Sequence, residues 1–546
     1  MQATEQTRLS QPPLRAAREW PRPAAAAWQQ TVLDQLLKAS VTAFVFVAVL
    51  VVTALNEHPI PVSHVGLVAQ FIRTPLPLAA ACVVTWAIYR PWPAYLAVLL
   101  LTPVWNAAQM EWQVGPVQVI LQTVFAAALI AGCVIESRAR SRTRPIANPL
   151  WLDDRVARSA PAESLSLLAR IGRRAAAFEG RRFAELALVG FVGLAVLSTL
   201  ASPDVTNSAT VLLHGILEPV AMGAVLVWLR PSRRDLVMVG AALGVSIALG
   251  SLLNFLQTVP EYGSLAGMQA ARLLFAHTTF FNVGLFGVII AMVVPLLVGA
   301  IAARRALGLS PRAVYFLLVL LGLTLAGLFF SFSKSAWLAT SIGTAILLLL
   351  LVPTWRRRLA MIAAVAVVSA TFIPWPAFVL QVAPPLNSAY RTVAVSLVGE
   401  ARFDSWNPTT LAGRGSMSER FYAVDGGVRM AFDHSLLGVG LDEFGTYYSA
   451  MGYRPAAARD ALDHAHSVFP EVAAELGLPA MVLLAIAIAA ALWAMWRTYR
   501  AARDQLTRIL AATLFASLAA WTIAATAFGC DIYRGVRDMS SDVVAL

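Results

Sequence analysis

The stretch 476–496, with the sequence LGLPAMVLLAIAIAAALWAMW, decides the fold class of this chain. It runs for 21 residues between Glu475 and Arg497 without a charged side chain. An α-helix needs about 20 mainly apolar residues to cross the hydrocarbon core of a bilayer. We therefore predict a membrane-spanning helix here, within a span near 470–496.

Similar apolar windows recur along all 546 residues and give roughly 13 candidate spans, one of them near 115–135. Overall, 58% of the residues are apolar and 13% are charged. Water-soluble domains carry about a quarter charged residues, so this chain has too little charge to cover a soluble surface. We predict an all-α polytopic membrane protein with about 12–13 transmembrane helices.

The interruptions between the spans divide the chain into seven segments. We predict an N-terminal tail (1–38), transmembrane helices (39–135), a basic loop (136–182), transmembrane helices (183–380), an extracytoplasmic loop subdomain (381–468), transmembrane helices (469–529) and a C-terminal tail (530–546).

The net charge of +12 is unevenly distributed. Thirty of the 42 basic residues fall in the N-terminal tail, at Arg90, in the loop 136–182 and in short loops between later spans. These segments carry a net charge of +20, which leaves −8 for the rest of the chain. Short basic loops stay in the cytoplasm, so the charge predicts topology and argues against a nucleic-acid partner. The loop 136–182 could also contact anionic membrane lipids.

Several chemistries lack their sequence signatures. The three cysteines, Cys82, Cys133 and Cys530, are far apart, which excludes a disulfide framework and a CxxC zinc site. The chain contains neither a P-loop nor a Gly-x-Ser-x-Gly element, so ATP hydrolysis and a serine nucleophile are not supported.

The loop 381–468 has the composition of a folded subdomain, with seven basic residues, nine acidic residues and five tyrosines. Ser416 and Glu419 have the spacing of a capping box, which predicts a short helix over 420–433. The glycines of LLGVG, residues 436–440, should end that helix. The following span places His466 at the outer membrane boundary.

These residues carry a resemblance to a known family. Arg420, the stretch DHSLLGVGL (433–441), Phe444, the pair His466-Ser467 and the stretch EVAAELGL (471–478) resemble the O-antigen ligase and polymerase superfamily. There, an outer loop runs from an arginine through His-Pro-Leu-x-Gly-x-Gly to His-Asn, which opens a helix containing Glu-Leu-Gly. FSKSAW (332–337) resembles the family's Ser-Arg-Gly segment, and FAHT (275–278) its His-Pro-Asn segment. Three positions depart from the pattern: Ser435, Ser467 and Lys334 replace proline, asparagine and arginine.

The resemblance implies a GT-C-like glycosyltransferase of the bacterial inner membrane with its active site at the periplasmic face. Such an enzyme takes a glycan from undecaprenyl diphosphate. A ligase transfers it to a lipid A core, whereas an O-antigen or exopolysaccharide polymerase transfers it to a carrier-linked glycan. Nothing local in the sequence decides between them, and we favour the ligase.

The charge of the diphosphate leaving group must be neutralised, and no metal or other cofactor is required if cationic side chains do this. The resemblance assigns this role to Arg420 and Lys334, with Arg272 and Arg414 in support. Alternatively, Arg420 is a solvated helix charge and Lys334 extends from a helix end to the membrane interface. A lysine is also a point charge and cannot bind phosphate through a planar fork as arginine does.

His466 is the candidate for the acceptor side, as a base for a sugar hydroxyl or as its hydrogen-bond partner. It could instead bind backbone at a helix start. His464 and His466, with Asp460 and Asp463, also allow a metal site, although this spacing is a weak signal.

His434 should shape the turn before Gly438. Glu471 and Glu475 lie four apart on one helical face and should orient His466 or face the loop, although a helix N-terminus also favours carboxylates there. We count these three residues as candidate substrate-binding residues.

Two other classes of function stay open. A transporter would need ionisable residues near the membrane midplane, whereas the clear charges in these spans lie near span ends. An assembly subunit without chemistry is the other alternative.

Overall fold

The computed structural model describes residues 76–101, 111–114, 117–140, 167–262, 283–331, 334–352, 354–360, 363, 411–458 and 462–526. Helices make up most of these residues. Six helices of this part of the chain are long and apolar enough to cross a membrane, and shorter apolar helices accompany them. The prediction of an all-α polytopic membrane protein is confirmed.

The elements follow one another with short connections in the described ranges. In chain order they are α1 Leu76–Tyr89, α2 Pro91–Leu100, β1 Glu111–Val114, β2 Val117–Ile120, α3 Leu121–Arg140, α4 Leu167–Ala201, α5 Val205–Val211, a π-helical turn Leu212–Leu217, α6 Glu218–Leu229, α7 Arg233–Tyr262, α8 Val283–Ala302, α9 Arg304–Leu307, α10 Pro311–Ser331, α11 Lys334–Leu351, α12 Leu411–Asp433, α13 Phe444–Ala450, α14 Val468–Leu476, α15 Leu478–Ala501 and α16 Gln505–Thr526.

The span predicted near 115–135 begins later than expected. β1 and β2 pair as an antiparallel hairpin, with Glu111 opposite Ile120 and Val114 opposite Val117, and α3 begins only at Leu121. The segment 117–120 is rich in β-branched residues, which favour strands, so its apolar character reflects a strand and not the start of a helix.

The span predicted near 470–496 is two helices. α14 ends at Leu476 and α15 begins at Leu478, because Gly477 has φ of +87° and ψ of 163° and interrupts the helical hydrogen bonding. Only glycine adopts such a backbone easily. The apolar run 478–496 remains one continuous helix.

The basic short loops meet at one end of the helical bundle. Arg233, at the start of α7, forms an ion pair of 3.0 Å with Asp504, which precedes α16. At the same end, the hydroxyl of Tyr499 donates to the carbonyl of Leu350 over 2.8 Å. The opposite end of the bundle carries α12, α13 and α14.

The span Val205–Leu229 holds a polar cluster near its middle. His214 Nδ1 lies 2.8 Å from Glu218 Oε1, and Thr123 of α3 donates its hydroxyl to the same carboxylate oxygen. The prediction that charges inside the spans lie near span ends is wrong here. Apolar neighbours mask two polar residues in a hydropathy window, and the partner from α3 becomes visible only in three dimensions.

Parts of the predicted organisation lie outside the described residues, including the tail 1–38, Arg272 and the segment after 526. Within the predicted basic loop, α3 continues to Arg140 and α4 already begins at Leu167.

Candidate functional site

α12 is longer than the helix predicted from the sequence. It begins at Leu411, so Ser416 and Glu419 lie inside the helix and do not form a capping box at its start. Glu419 is buried. The expected end is confirmed, because Asp433 closes the helix and a turn follows. A capping box is a local signal, and here the helix continues across it.

The turn after α12 attaches to the end of α14. The backbone N–H of Val439 donates to the carbonyl of Ala474 over 2.8 Å, and that of Gly440 to the carbonyl of Glu475 over 3.2 Å. The N–H of Leu478 donates to the carbonyl of Ser435 over 2.9 Å. The last carbonyls of a helix have no partner within the helix, and this turn supplies two of them with donors.

Gly438 makes this attachment possible. Its φ is +70°, and a Cβ at this position would lie 2.2 Å from the carbonyl carbon of Glu475. Both the backbone conformation and the close approach require glycine. The first glycine of the Gly-x-Gly motif therefore has a structural reason in this fold.

His466 lies directly before α14 with a left-handed backbone, φ +55°. A non-glycine residue in this region is strained, and such strain is concentrated at functional sites. The next residue, Ser467, donates its hydroxyl to the carbonyl of Thr526 at the end of α16 over 3.0 Å. The backbone around His466 is thus fixed between the outer subdomain and the bundle.

Three features of its surroundings lower the pKa of the His466 imidazole. Burial lowers its pKa to about 2, with further lowering by the neighbouring His464 and by the positive charge of Arg420. The rings of His464 and His466 have centroids 4.0 Å apart. The imidazole is therefore neutral near pH 7 and carries one nitrogen that can accept a hydrogen bond. The structure brings Arg420 and His466, the two main candidates, close enough to interact.

Glu471 and Glu475 are both buried on α14, each with 2% of its surface exposed. Glu475 Oε1 accepts a hydrogen bond of 3.3 Å from the backbone N–H of Phe444, the first residue of α13. Glu475 thus faces the loop, one of the two placements expected from the sequence. Glu471 lies in the first turn of α14, where the helix dipole favours a carboxylate.

His434 lies at the start of the turn that follows α12. Its carbonyl accepts a hydrogen bond of 2.9 Å from the N–H of Gly438. Its ring meets Tyr447 of α13 edge to face, with centroids 5.5 Å apart.

The remaining cations are placed less directly. Lys334 is the first residue of α11. Ala339 of α11 packs near Ala524 of α16, and Leu347 near Ala512, so the two helices run antiparallel. The start of α11 is therefore at the same end of the bundle as Thr526 and its partner Ser467. Arg414 lies in the first turn of α12, and Arg272 is outside the described residues.

Sequence reasoning missed the polar residues that fasten the site to the bundle. Asn207 Nδ2 donates to Asp442 Oδ2 over 2.7 Å, and Ser208 donates its hydroxyl to the carbonyl of Leu441 over 2.5 Å. Ser198 donates to the carbonyl of Glu475 over 2.7 Å. The signal was the cluster of small polar residues from the end of α4 into α5, which separates two apolar spans.

The metal alternative finds no support in the part of the chain that the structure describes, where no group of three or more His, Cys, Asp or Glu side chains could hold an ion. Asp460, one member of the candidate set, lies outside those residues.

Residues 316–485 match a family model described as O-Antigen ligase. The matched region runs from α10 into α15, and it includes Lys334, Arg420, His466 and both glutamates of α14. A comparison with curated proteins finds no match.

Proposed function

Because residues 316–485 match the O-Antigen ligase family model, we propose that this chain is an O-antigen ligase-like glycosyltransferase. The donor is a glycan on undecaprenyl diphosphate, and the acceptor is a lipid A core. The enzyme lies in the bacterial inner membrane with its site at the periplasmic face. The coarser class, a membrane glycosyltransferase of the ligase and polymerase type, follows from the family itself.

One observation carries the proposal at the level of residues. Arg420 on α12 interacts electrostatically with His466, which lies in a strained backbone before α14. A fixed cation beside a neutral imidazole suits transfer from a diphosphate, because one group neutralises the leaving group and the other holds the attacking hydroxyl.

The reaction assigns a role to each group. The acceptor oxygen forms a bond to the anomeric carbon of the glycan, and the bond from that carbon to the diphosphate oxygen breaks. Arg420 and Lys334 stabilise the negative charge on the departing undecaprenyl diphosphate, with Arg272 and Arg414 in support. The hydroxyl donates a hydrogen bond to His466 and passes its proton to the imidazole. The incoming diphosphate raises the pKa of this imidazole, because a nearby anion favours the charged form.

The other candidate residues support this centre. Glu471, Glu475 and His434 shape the walls that receive the glycan or its acceptor. No metal or other cofactor takes part in the proposed reaction. Transfer should therefore continue after exhaustive chelation with EDTA, and its complete loss, restored by a divalent ion, would contradict this part of the proposal.

A transfer assay tests the proposal. The purified full-length chain in lipid nanodiscs is given undecaprenyl-diphosphate-linked glycan and lipid A core, and product is measured by mass. Replacing Arg420 with Ala should lower the rate by about 10²–10³, the usual effect of removing a group that stabilises transition-state charge. Arg429→Ala is the matched control, since Arg429 is exposed on the same helix and pairs with Asp425. Equal rates in Arg420→Ala and wild type would overturn the site assignment.

The acceptor is tested by competition in the same assay. With lipid A core and a second carrier-linked glycan offered together, the ligase reading expects the glycan on lipid A core. Longer carrier-linked chains instead would identify a polymerase. Uptake of a labelled glycan into sealed vesicles without any transfer would favour the transporter. The absence of both uptake and transfer would favour an assembly subunit.

A further inference from the structure

α12 has two apolar faces. One is buried against the outer subdomain and includes Ala423 and Met430. On the opposite side, Phe421 is 53% exposed, Val428 is 40% exposed and Phe432 is 69% exposed. The spacings of seven and four residues put these three side chains on one face of the helix. Large apolar side chains grouped on a surface indicate an interaction site, whereas scattered ones do not.

A polar strip runs beside these residues. Asp425 and Arg429 form an exposed ion pair of 2.9 Å on α12. One turn further on, Asp433 accepts a hydrogen bond of 2.8 Å from the hydroxyl of Tyr453. Asp425, four residues after Phe421 and three before Val428, lies at the edge of the apolar face, and Arg429 and Asp433 lie further round the helix. A helix lying at the surface of a membrane has this pattern.

The depth of the end of α12 is fixed by α15. The apolar run 478–496 is 19 residues long and, at 1.5 Å per residue, covers about 30 Å, the thickness of the hydrocarbon core. Its outer boundary therefore falls near Leu478. The carbonyl of Ser435 accepts a hydrogen bond from the N–H of Leu478. Leu436, the next residue, is 74% exposed at that level.

We propose that the apolar line, defined as Phe421, Val428, Phe432 and Leu436, rests in the outer interfacial layer of the lipid bilayer. The surface of the membrane-spanning helices continues directly into it at Leu436, so lipid is the partner already in contact with one end. Asp425, at the edge of the apolar line, then faces the headgroups, and Arg429 and Asp433 face water. This places α12, with Arg420, along the membrane surface, and the inference is independent of the reaction proposed above.

Spin labels on the full-length chain test this placement. In a background with Cys82, Cys133 and Cys530 replaced by Ala, single cysteines are introduced as Phe432→Cys, Leu436→Cys and, as the matched control, Arg429→Cys, since Arg429 is exposed on the charged side of the helix. The labelled proteins are reconstituted into vesicles of phosphatidylethanolamine and phosphatidylglycerol. Collisions with oxygen, which concentrates in lipid, are compared with collisions with a water-soluble nickel complex.

We expect the ratio of oxygen to nickel collisions to be several-fold higher at 432 and 436 than at 429, because the apolar face of an interfacial helix lies about 5–10 Å into the boundary between headgroups and acyl chains. Nickel accessibility at 432 equal to that at 429 would mean a water-facing surface and would overturn the proposal. Low accessibility to both reagents at 432 would mean that protein covers the line, and it would overturn the proposal as well. Val428→Cys serves as a second position on the line if Phe432→Cys lowers the melting temperature.

Discussion

The rings of His464 and His466 lie 4.0 Å apart, directly before Ser467, whose hydroxyl donates to the carbonyl of Thr526 at the end of α16. Protonation of both imidazoles at this distance is unfavourable, because the two positive charges repel each other. Together with burial and Arg420, this keeps His466 neutral. A neutral imidazole has one ring nitrogen without a proton, so His466 can accept a hydrogen bond at this position.

The first prediction concerns pH and stability. The pKa of His466 falls from 6.5 to about 2 on folding, so below pH 6.5 the unfolded chain binds a proton that the folded chain does not. Its contribution to the free energy of unfolding is therefore lost as the pH falls. Between pH 6.5 and about pH 5 we expect wild type to lose about 1–2 kcal/mol relative to His466→Gln, which cannot titrate. Melting temperatures of both proteins in detergent across this range measure the difference, and parallel curves would contradict it.

The second prediction concerns Gly438. In Gly438→Ala, a Cβ would lie 2.2 Å from the carbonyl carbon of Glu475. Gly452→Ala is the matched control, because Gly452 also has a positive φ, +82°, but a Cβ there meets nothing within 4 Å. Both variants share the strain of a left-handed alanine, so their difference isolates the clash. We expect Gly438→Ala to lose about 1–3 kcal/mol more free energy of unfolding. Equal losses would show that the turn can move away from α14.

The third prediction separates the hydrogen bond that Glu475 accepts from the negative charge of its side chain. Glu475→Gln keeps the oxygen that accepts from the N–H of Phe444, whereas Glu475→Ala removes it. We expect Ala to cost about 1–3 kcal/mol, because a buried donor loses its partner, and Gln to cost clearly less. Chemical unfolding in detergent measures both. Equal losses in the two variants would show that the bond to Phe444 contributes little to stability.

The fourth prediction concerns the cluster inside the span Val205–Leu229. Thr123 and Glu218 join α3 to α6 through a hydrogen bond, so Thr123→Val and Glu218→Ala, each of which removes that bond, should not have additive effects. We expect a coupling of about 1 kcal/mol in a double-mutant cycle, near the upper part of the range for hydrogen bonds in membrane proteins. Thr85→Val serves as the control partner, since Thr85 bonds to Ala81 in its own helix. Additive effects of Thr123 and Glu218 would contradict the contact.

The fifth prediction concerns Asp504, at the basic end of the bundle. Burial alone would raise the pKa of this carboxyl, but hydrogen bonds from Thr507 and the charge of Arg233 outweigh it, so the pKa lies below 3.8. The contribution of Asp504 to the free energy of unfolding is therefore present near pH 7 and is lost as the pH falls below 3.8 towards the lowered pKa.

Two variants compare the cap with the ion pair. Asp504→Ala removes the cap of α16 and should lower the free energy of unfolding by about 1 kcal/mol. Arg233→Ala removes only an exposed ion pair and should cost less than about 0.5 kcal/mol. Chemical unfolding at pH 7 measures the loss of unfolding free energy in each variant. A larger loss in Arg233→Ala than in Asp504→Ala would contradict the prediction.

The sequence by itself determined that this protein lies in a lipid bilayer. Uncharged runs such as 476–496 can satisfy their backbone hydrogen bonds in lipid only as helices, so apolarity over sufficient length was enough to predict the all-α membrane fold. The motif around Arg420, Gly438 and His466 was equally visible, because its chemistry depends on residue type and on spacing along the chain.

Only the tertiary structure decided how those residues meet. It ended α14 at Gly477, which a hydropathy window cannot detect, and it joined the turn at Gly438 to the last carbonyls of α14. It also brought Arg420 to His466 and Thr123 to Glu218. These pairs lie tens of residues apart in sequence, and their interaction depends on burial and distance, which are properties of packing and not of local composition.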